Sequence, residues 1–198
     1  MALSTAVGTF QTGVGAVAST TVKTGLGFLP KAIFFTWNGR TESVDTTGRA
    51  NNQSGYGIAT AAGGFSVTML SEDAGAAAVG ANYHNAVNCI CTVDNAGAVS
   101  GLMALQTFDA DGFTLVVNDV MPASLTIQFW AFGGADITNV ASGIHLLASS
   151  TTGNVSVTGL AFQPDFGVFI AGNLTAAPAA GIATRSTANV SVFASCIA

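Results

Sequence analysis

Gly101-Leu102-Met103-Ala104-Leu105-Gln106-Thr107-Phe108-Asp109-Ala110-Asp111-Gly112-Phe113-Thr114-Leu115-Val116-Val117-Asn118 reads as strand, turn, strand. Two short apolar runs, Gly101–Thr107 and Phe113–Asn118, flank a segment of Asp and Gly. Apolar and β-branched runs of that length, bounded by turn residues, are strand signals. Asp and Gly reverse the chain because a carboxylate accepts backbone N–H groups and glycine tolerates positive φ.

The same rhythm extends in both directions. Toward the N-terminus it recurs at Asn88–Val93, Phe65–Leu70, Tyr56–Ala61, Ala32–Trp37 and Ser19–Gly25. Toward the C-terminus it recurs at Leu125–Phe132, Val155–Leu160, Phe166–Ala171, Gly181–Arg185 and Val190–Ala194. Turn clusters such as Asn38-Gly39, Gly63-Gly64 and Gly133-Gly134 separate the runs. Only Ala74–Val79 reads as helix by propensity, and the glycines at 75 and 80 weaken it. Many short strands with regular turns predict an all-β fold, an antiparallel β-sandwich of jelly-roll-like character.

Part of this pattern occurs twice. Thr24-Gly25-Leu26-Gly27-Phe28-Leu29-Pro30 returns as Thr158-Gly159-Leu160-Ala161-Phe162-Gln163-Pro164, and Gly57-Ile58-Ala59-Thr60 returns unchanged as Gly181-Ile182-Ala183-Thr184. Ser71 then matches Ser195, and nothing in the second copy answers to residues 72–140. A repeat marks a duplicated or stacked architecture. The expected organisation is a β-sandwich unit over 1–140 and a partial repeat over 141–198, with the seam at Ala135–Gly153. Strands of an incomplete copy lack the rest of their own unit. They are expected to pack on the first unit or on a neighbouring subunit.

Charge is scarce. Charged residues make up 8% of the chain, against about 25% in an average soluble domain. So bare a surface resists association weakly, which points to a homo-oligomer such as a trimer. The net charge of −5 offers no basic patch and argues against nucleic-acid binding. No apolar run reaches the roughly 18 residues of a membrane-spanning helix, so no membrane partner is expected. Met1-Ala2-Leu3-Ser4-Thr5 lacks the basic start and apolar core of a signal peptide, so synthesis in a host cytoplasm is expected.

Candidate chemistry is thin. Phe108-Asp109-Ala110-Asp111-Gly112-Phe113 is the densest acidic motif, but a calcium loop would need a third acidic ligand and a distal Glu. The expectation is a turn. Glu72 and Asp73 are adjacent and would point to opposite faces of a strand, a poor arrangement for shared acid–base work. Cys89 and Cys91 share a strand face without His or Cys partners nearby, which suits small buried apolar residues better than zinc. His84 and His145 are the only histidines, and no Gly-x-Ser-x-Gly elbow gives a nucleophilic triad an anchor. No catalytic, metal or cofactor residues are expected. Trp37 and Tyr56 could stack on a sugar, whereas alternation groups Trp130 with Gln128 and Phe132 on one face. Packing in the core or at a subunit contact is the expected use of both tryptophans.

The segments Gly25–Phe35, Tyr56–Ala61, Ser71-Glu72-Asp73, Ser100–Val117 and Ala131–Val140 resemble a repeated unit of bacteriophage virion proteins. Its motifs read here as Gly27-Phe28-Leu29-Pro30, Gly55-Tyr56-Gly57-Ile58-Ala59-Thr60, Thr107–Thr114 and Phe132-Gly133-Gly134. The resemblance spans nearly the whole chain and implies a virion component without catalytic residues. One and a half units stand here where relatives carry several, which argues against a long array.

Together these readings predict a non-enzymatic structural protein of a phage particle, a capsid decoration or cement protein located in the virion. Its partners would be itself and the major capsid or other virion proteins. The alternatives are a tail or head fibre component, or a lectin-like glycan-binding module using Trp37 and Tyr56. A depolymerase would need paired carboxylates in one cleft, and the acids here are turn-like.

Overall fold

The computed structural model describes residues 2–39, 52–72, 79–94, 98–146, 156–172 and 191–197. These carry β1 (Leu3–Gln11), β2 (Thr20–Thr24), β3 (Pro30–Trp37), β4 (Asn52–Thr60), β5 (Gly63–Glu72) and β6 (Val79–Asn85). The chain continues through β7 (Ile90–Val93), β8 (Val99–Asp109), β9 (Gly112–Asp119), β10 (Thr126–Gly134), β11 (Val140–Leu146), β12 (Phe166–Gly172) and β13 (Ser191–Ile197). The all-β expectation is met, with no helix among the described residues.

The strands form a six-stranded sheet in the order β1-β10-β3-β4-β5-β6 and a four-stranded sheet in the order β2-β9-β8-β7. All pairings in both are antiparallel. The two sheets face each other as a sandwich. Consecutive strands β3 to β6 and β7 to β9 are neighbours in their sheets, so the order is largely meander and does not establish a jelly roll.

Alternation explains which side chains meet. Ile33, Phe35 and Trp37 of β3 point inward with Ile127, Phe129 and Ala131 of β10. From the opposite sheet they meet Met103, Phe113, Leu115 and Val117. Phe10, Phe35, Phe113 and Phe129 form the centre, mostly edge to face, with ring centroids 5.4–6.3 Å apart. Such pairs contribute about 0.5–1.5 kcal/mol each beyond the area they bury.

The third sheet, in the order β11-β13-β12, comes from residues 140–197. It lies against the outer face of the six-stranded sheet. Ile144 of β11 and Ile170 of β12 pack on the buried Ile58 and Val67, beside Phe34 and Phe65. The Thr60 and Ser142 hydroxyls meet at 2.7 Å.

The duplicated sequence does not fold twice in the same way. By the repeat, β12 answers to β3 and β13 to β5. In the first unit β4 separates β3 from β5, whereas β12 and β13 pair directly from Phe166↔Ile197 to Gly172↔Ser191. The second Gly-Ile-Ala-Thr, at 181–184 in the expected run Gly181–Arg185, lies outside the described residues.

Two further differences from the sequence reading have clear causes. Residues 156–160 of the run expected at Val155–Leu160 are not a strand. Their first-copy counterpart β2 is held by β9, and the partial repeat has no counterpart of β9. Val79, expected in a helix with residues 74–78, opens β6, and the other five residues lie outside the described set. Strands β1, β6 and β11 have runs too mixed with small and polar residues to stand out.

Candidate functional site

The acidic motif is a two-residue hairpin turn between β8 and β9, with Asp109 opposite Gly112. The Asp111 carboxylate accepts the backbone N–H of Gly25 at 3.1 Å and that of Gly27. Both glycines have positive φ, 84° and 77°, a conformation that other residues rarely adopt. Asp109 accepts the hydroxyls of Thr107 at 2.8 Å and Thr114 at 2.7 Å. The two carboxylates therefore hold the hairpin together and tie it to the loop entering β3. Among the described residues no group of three or more His, Cys, Asp or Glu could hold a metal ion.

Cys89 and Cys91 are free and buried. Burial pushes both thiols up to about 12, so neither is a ready nucleophile near neutral pH. His84 on β6 is fully buried, and desolvation lowers its pKa to about 4, which keeps the ring neutral at pH 7. His145 lies on β11 and Glu72 ends β5; their side chains, and Asp73 entirely, are outside the described set.

The two proposed stacking residues occupy adjacent registers on opposite faces of the sheet. Trp37 pairs with Gly55, while Tyr56 pairs with Thr36. Trp37 is only 3% exposed and belongs to the main core, so it presents no free ring face. Its indole fits because residue 55 has no side chain: a Cβ there would stand 2.1 Å from the ring. Tyr56 is 41% exposed. Both line a polar cleft of about 300 Å³, to which Thr36, Asn38, Ser54 and Gln128 also contribute. A flat two-ring sugar platform is not formed.

An apolar trough lies on the outer face of the six-stranded sheet. Its volume is about 860 Å³, and its walls include Val7, Phe34, Tyr56, Met69, Trp130 and Phe169. Register builds it: Val7, Trp130 and Phe34 stand side by side across β1, β10 and β3. Strand β12 forms one wall through Val168, Phe169 and Ile170. Trp130 packs on Phe132 at 4.5 Å between centroids and remains 46% exposed, so the predicted grouping of residues 128, 130 and 132 on one face holds.

Among the described residues no charged side chain lines the trough, and the Tyr56 hydroxyl is the only titratable group there. The feature can bury apolar surface, and its lining offers no acid–base pair. Sequence reading identified Trp130 but missed Val7, Phe34, Met69 and Phe169. One signal was present: Ala32-Ile33-Phe34-Phe35 is apolar at every position, as expected of a strand covered on both faces. No family model matches this chain, and no curated protein or solved structure matches it.

Proposed function

We propose that this chain is a non-enzymatic structural protein of a phage particle, a capsid decoration protein held in place by oligomeric contacts. One observation carries the reading: an uncharged apolar trough of about 860 Å³ lies open beside exposed Trp130, Tyr56 and Phe169. Contiguous exposed apolar surface of this kind marks contact sites. A chain with only 8% charged residues has little else to keep it apart from its neighbours. The motif resemblance to virion repeats supports the particle as the setting. Binding only the assembled shell would stabilise that state by mass action.

The test is imaging of particles made with and without this chain, with gold-labelled antibody against it. Density and label distributed over the shell are expected. Label confined to a tail or fibre would replace decoration with the fibre reading, and unlabelled particles would remove the virion role.

The polar cleft at Tyr56 favours one second reading, a weak glycan-binding module. Thr36, Asn38, Ser54 and Gln128 supply hydrogen-bonding groups around a half-exposed ring. Glycan-array signals lost on Tyr56→Ala would support it, and a blank array would end it.

A further inference from the structure

We infer that β1 is a self-association edge: two copies of this chain pair β1 against β1, antiparallel about a two-fold axis centred on Val7. This names the self-contact within the oligomer proposed above. It rests on that reading only for its setting.

Among the described residues, strand β1 ends the six-stranded sheet and has a ladder partner, β10, on one side only. An edge strand exposes a row of backbone donors and acceptors that can template another strand. Proteins that remain single usually blunt such edges with charge, proline, a bulge or short length. Here none of these devices is present. The edge runs nine residues, Leu3-Ser4-Thr5-Ala6-Val7-Gly8-Thr9-Phe10-Gln11, without a charged residue or proline. Its pairing with β10 is in unbroken register along all nine. The first charged side chain of the whole sequence is Lys23.

The occupant that best fits this edge is the edge itself. In an antiparallel pairing centred on Val7, Val7 faces Val7 of the second copy, Thr5 faces Thr9, and Ala6 faces Gly8. Leu3 then lies opposite Gln11 and Ser4 opposite Phe10. No charge meets a like charge. Outward positions meet outward positions, because residues two apart share a face.

The outer row then continues across the axis. Val7 is 77% exposed and pairs with Trp130, which is 46% exposed. Pairing joins Trp130 and Val7 of one copy to Val7 and Trp130 of the other as a single apolar row. Because Val7 also lines the trough, the two troughs meet at the axis. A cross-strand aliphatic pair flanked by aromatics is a favourable sheet contact, and a two-fold contact of one patch with itself is the commonest form of homodimer.

The experiment uses the full chain and three variants. Sedimentation equilibrium should give a mass of two chains, or a multiple of that, for the native protein. Val7→Lys should weaken the association at least tenfold and leave the far-UV circular dichroism spectrum unchanged, because the side chain is 77% exposed in the single chain. Under oxidised glutathione, Val7→Cys should form a disulfide-linked dimer. Leu3→Cys should not, because it faces Gln11 rather than itself.

A native chain that sediments as a monomer overturns the inference. So does an oligomer indifferent to Val7→Lys, or crosslinking of Val7→Cys no faster than that of Leu3→Cys. A larger oligomer that still crosslinks through position 7 upholds the contact. Particles labelled by a chain that fails these tests would remove the β1 pairing and leave the virion reading standing.

Discussion

Gly57 shows how a short motif in this chain acquires its meaning. It lies between Tyr56 and Ile58 on β4, and a Cβ there would stand 1.7 Å from the carbonyl oxygen of Cys89. The obstacle is backbone, which cannot swing aside. Gly57→Ala should therefore destabilise the fold by about 2–4 kcal/mol, through displacement of the chain entering β7. Gly143 on β11 is the control, since nothing lies within 4 Å of the Cβ position there. Gly143→Ala should change stability by less than about 0.5 kcal/mol. Thermal melts of the two variants check the pair, and a native-like melt for Gly57→Ala would refute the close approach. The glycine spacing Gly55-x-Gly57 was plain in the sequence. Its reason was not, because one glycine seats Trp37 and the other a backbone more than thirty positions along the chain.

Among the elements, β11 and β12 have the clearest consequence. Through Ile144 and Ile170 they shield Ile58 and Val67, which are 1% and 0% exposed. Burying an aliphatic side chain stabilises by about 1.5–3 kcal/mol. Removing residues 141–198 should therefore expose an apolar stripe of Phe34, Ile58, Phe65 and Val67. The shortened chain is expected to aggregate or to bind a hydrophobic dye strongly, as read by light scattering and dye fluorescence. A shortened chain that stays dispersed, dye-silent and equally heat-stable would show that this face needs no cover. Sequence reading expected the partial repeat to pack on the first unit or on a neighbouring subunit. The direct pairing of β12 with β13 was not legible, because strand neighbours are chosen by the packing of distant segments rather than by local alternation.

At the scale of the whole molecule, the buried His84 ties stability to pH. Its folded-state pKa is depressed to about 4 from an ordinary 6.5, by desolvation. Between those values the unfolded chain binds the proton and the folded one does not, so stability rises with pH across that window. This contribution is complete above about pH 6.5 and is lost as pH falls through 4. It amounts to at most about 3 kcal/mol. Melting temperatures measured from pH 7 to 4 should fall, and His84→Leu should flatten the decline. A native profile already flat over that range would exclude the buried neutral ring.

Three features were legible in the amino-acid sequence: the chain is all-β, it is poor in charge, and Asp109 and Asp111 make a turn. Each of these rests on local chemistry: alternation sorts side chains to two faces, and Asp and Gly reverse the backbone. Long-range packing seals Trp37 in the core while Trp130 stands beside an open trough. It also places β1 at a sheet edge and joins β12 to β13 without an intervening strand. Two-residue periodicity tells which side chains share a face but not whether that face is covered. Covering depends on segments brought together from far along the chain.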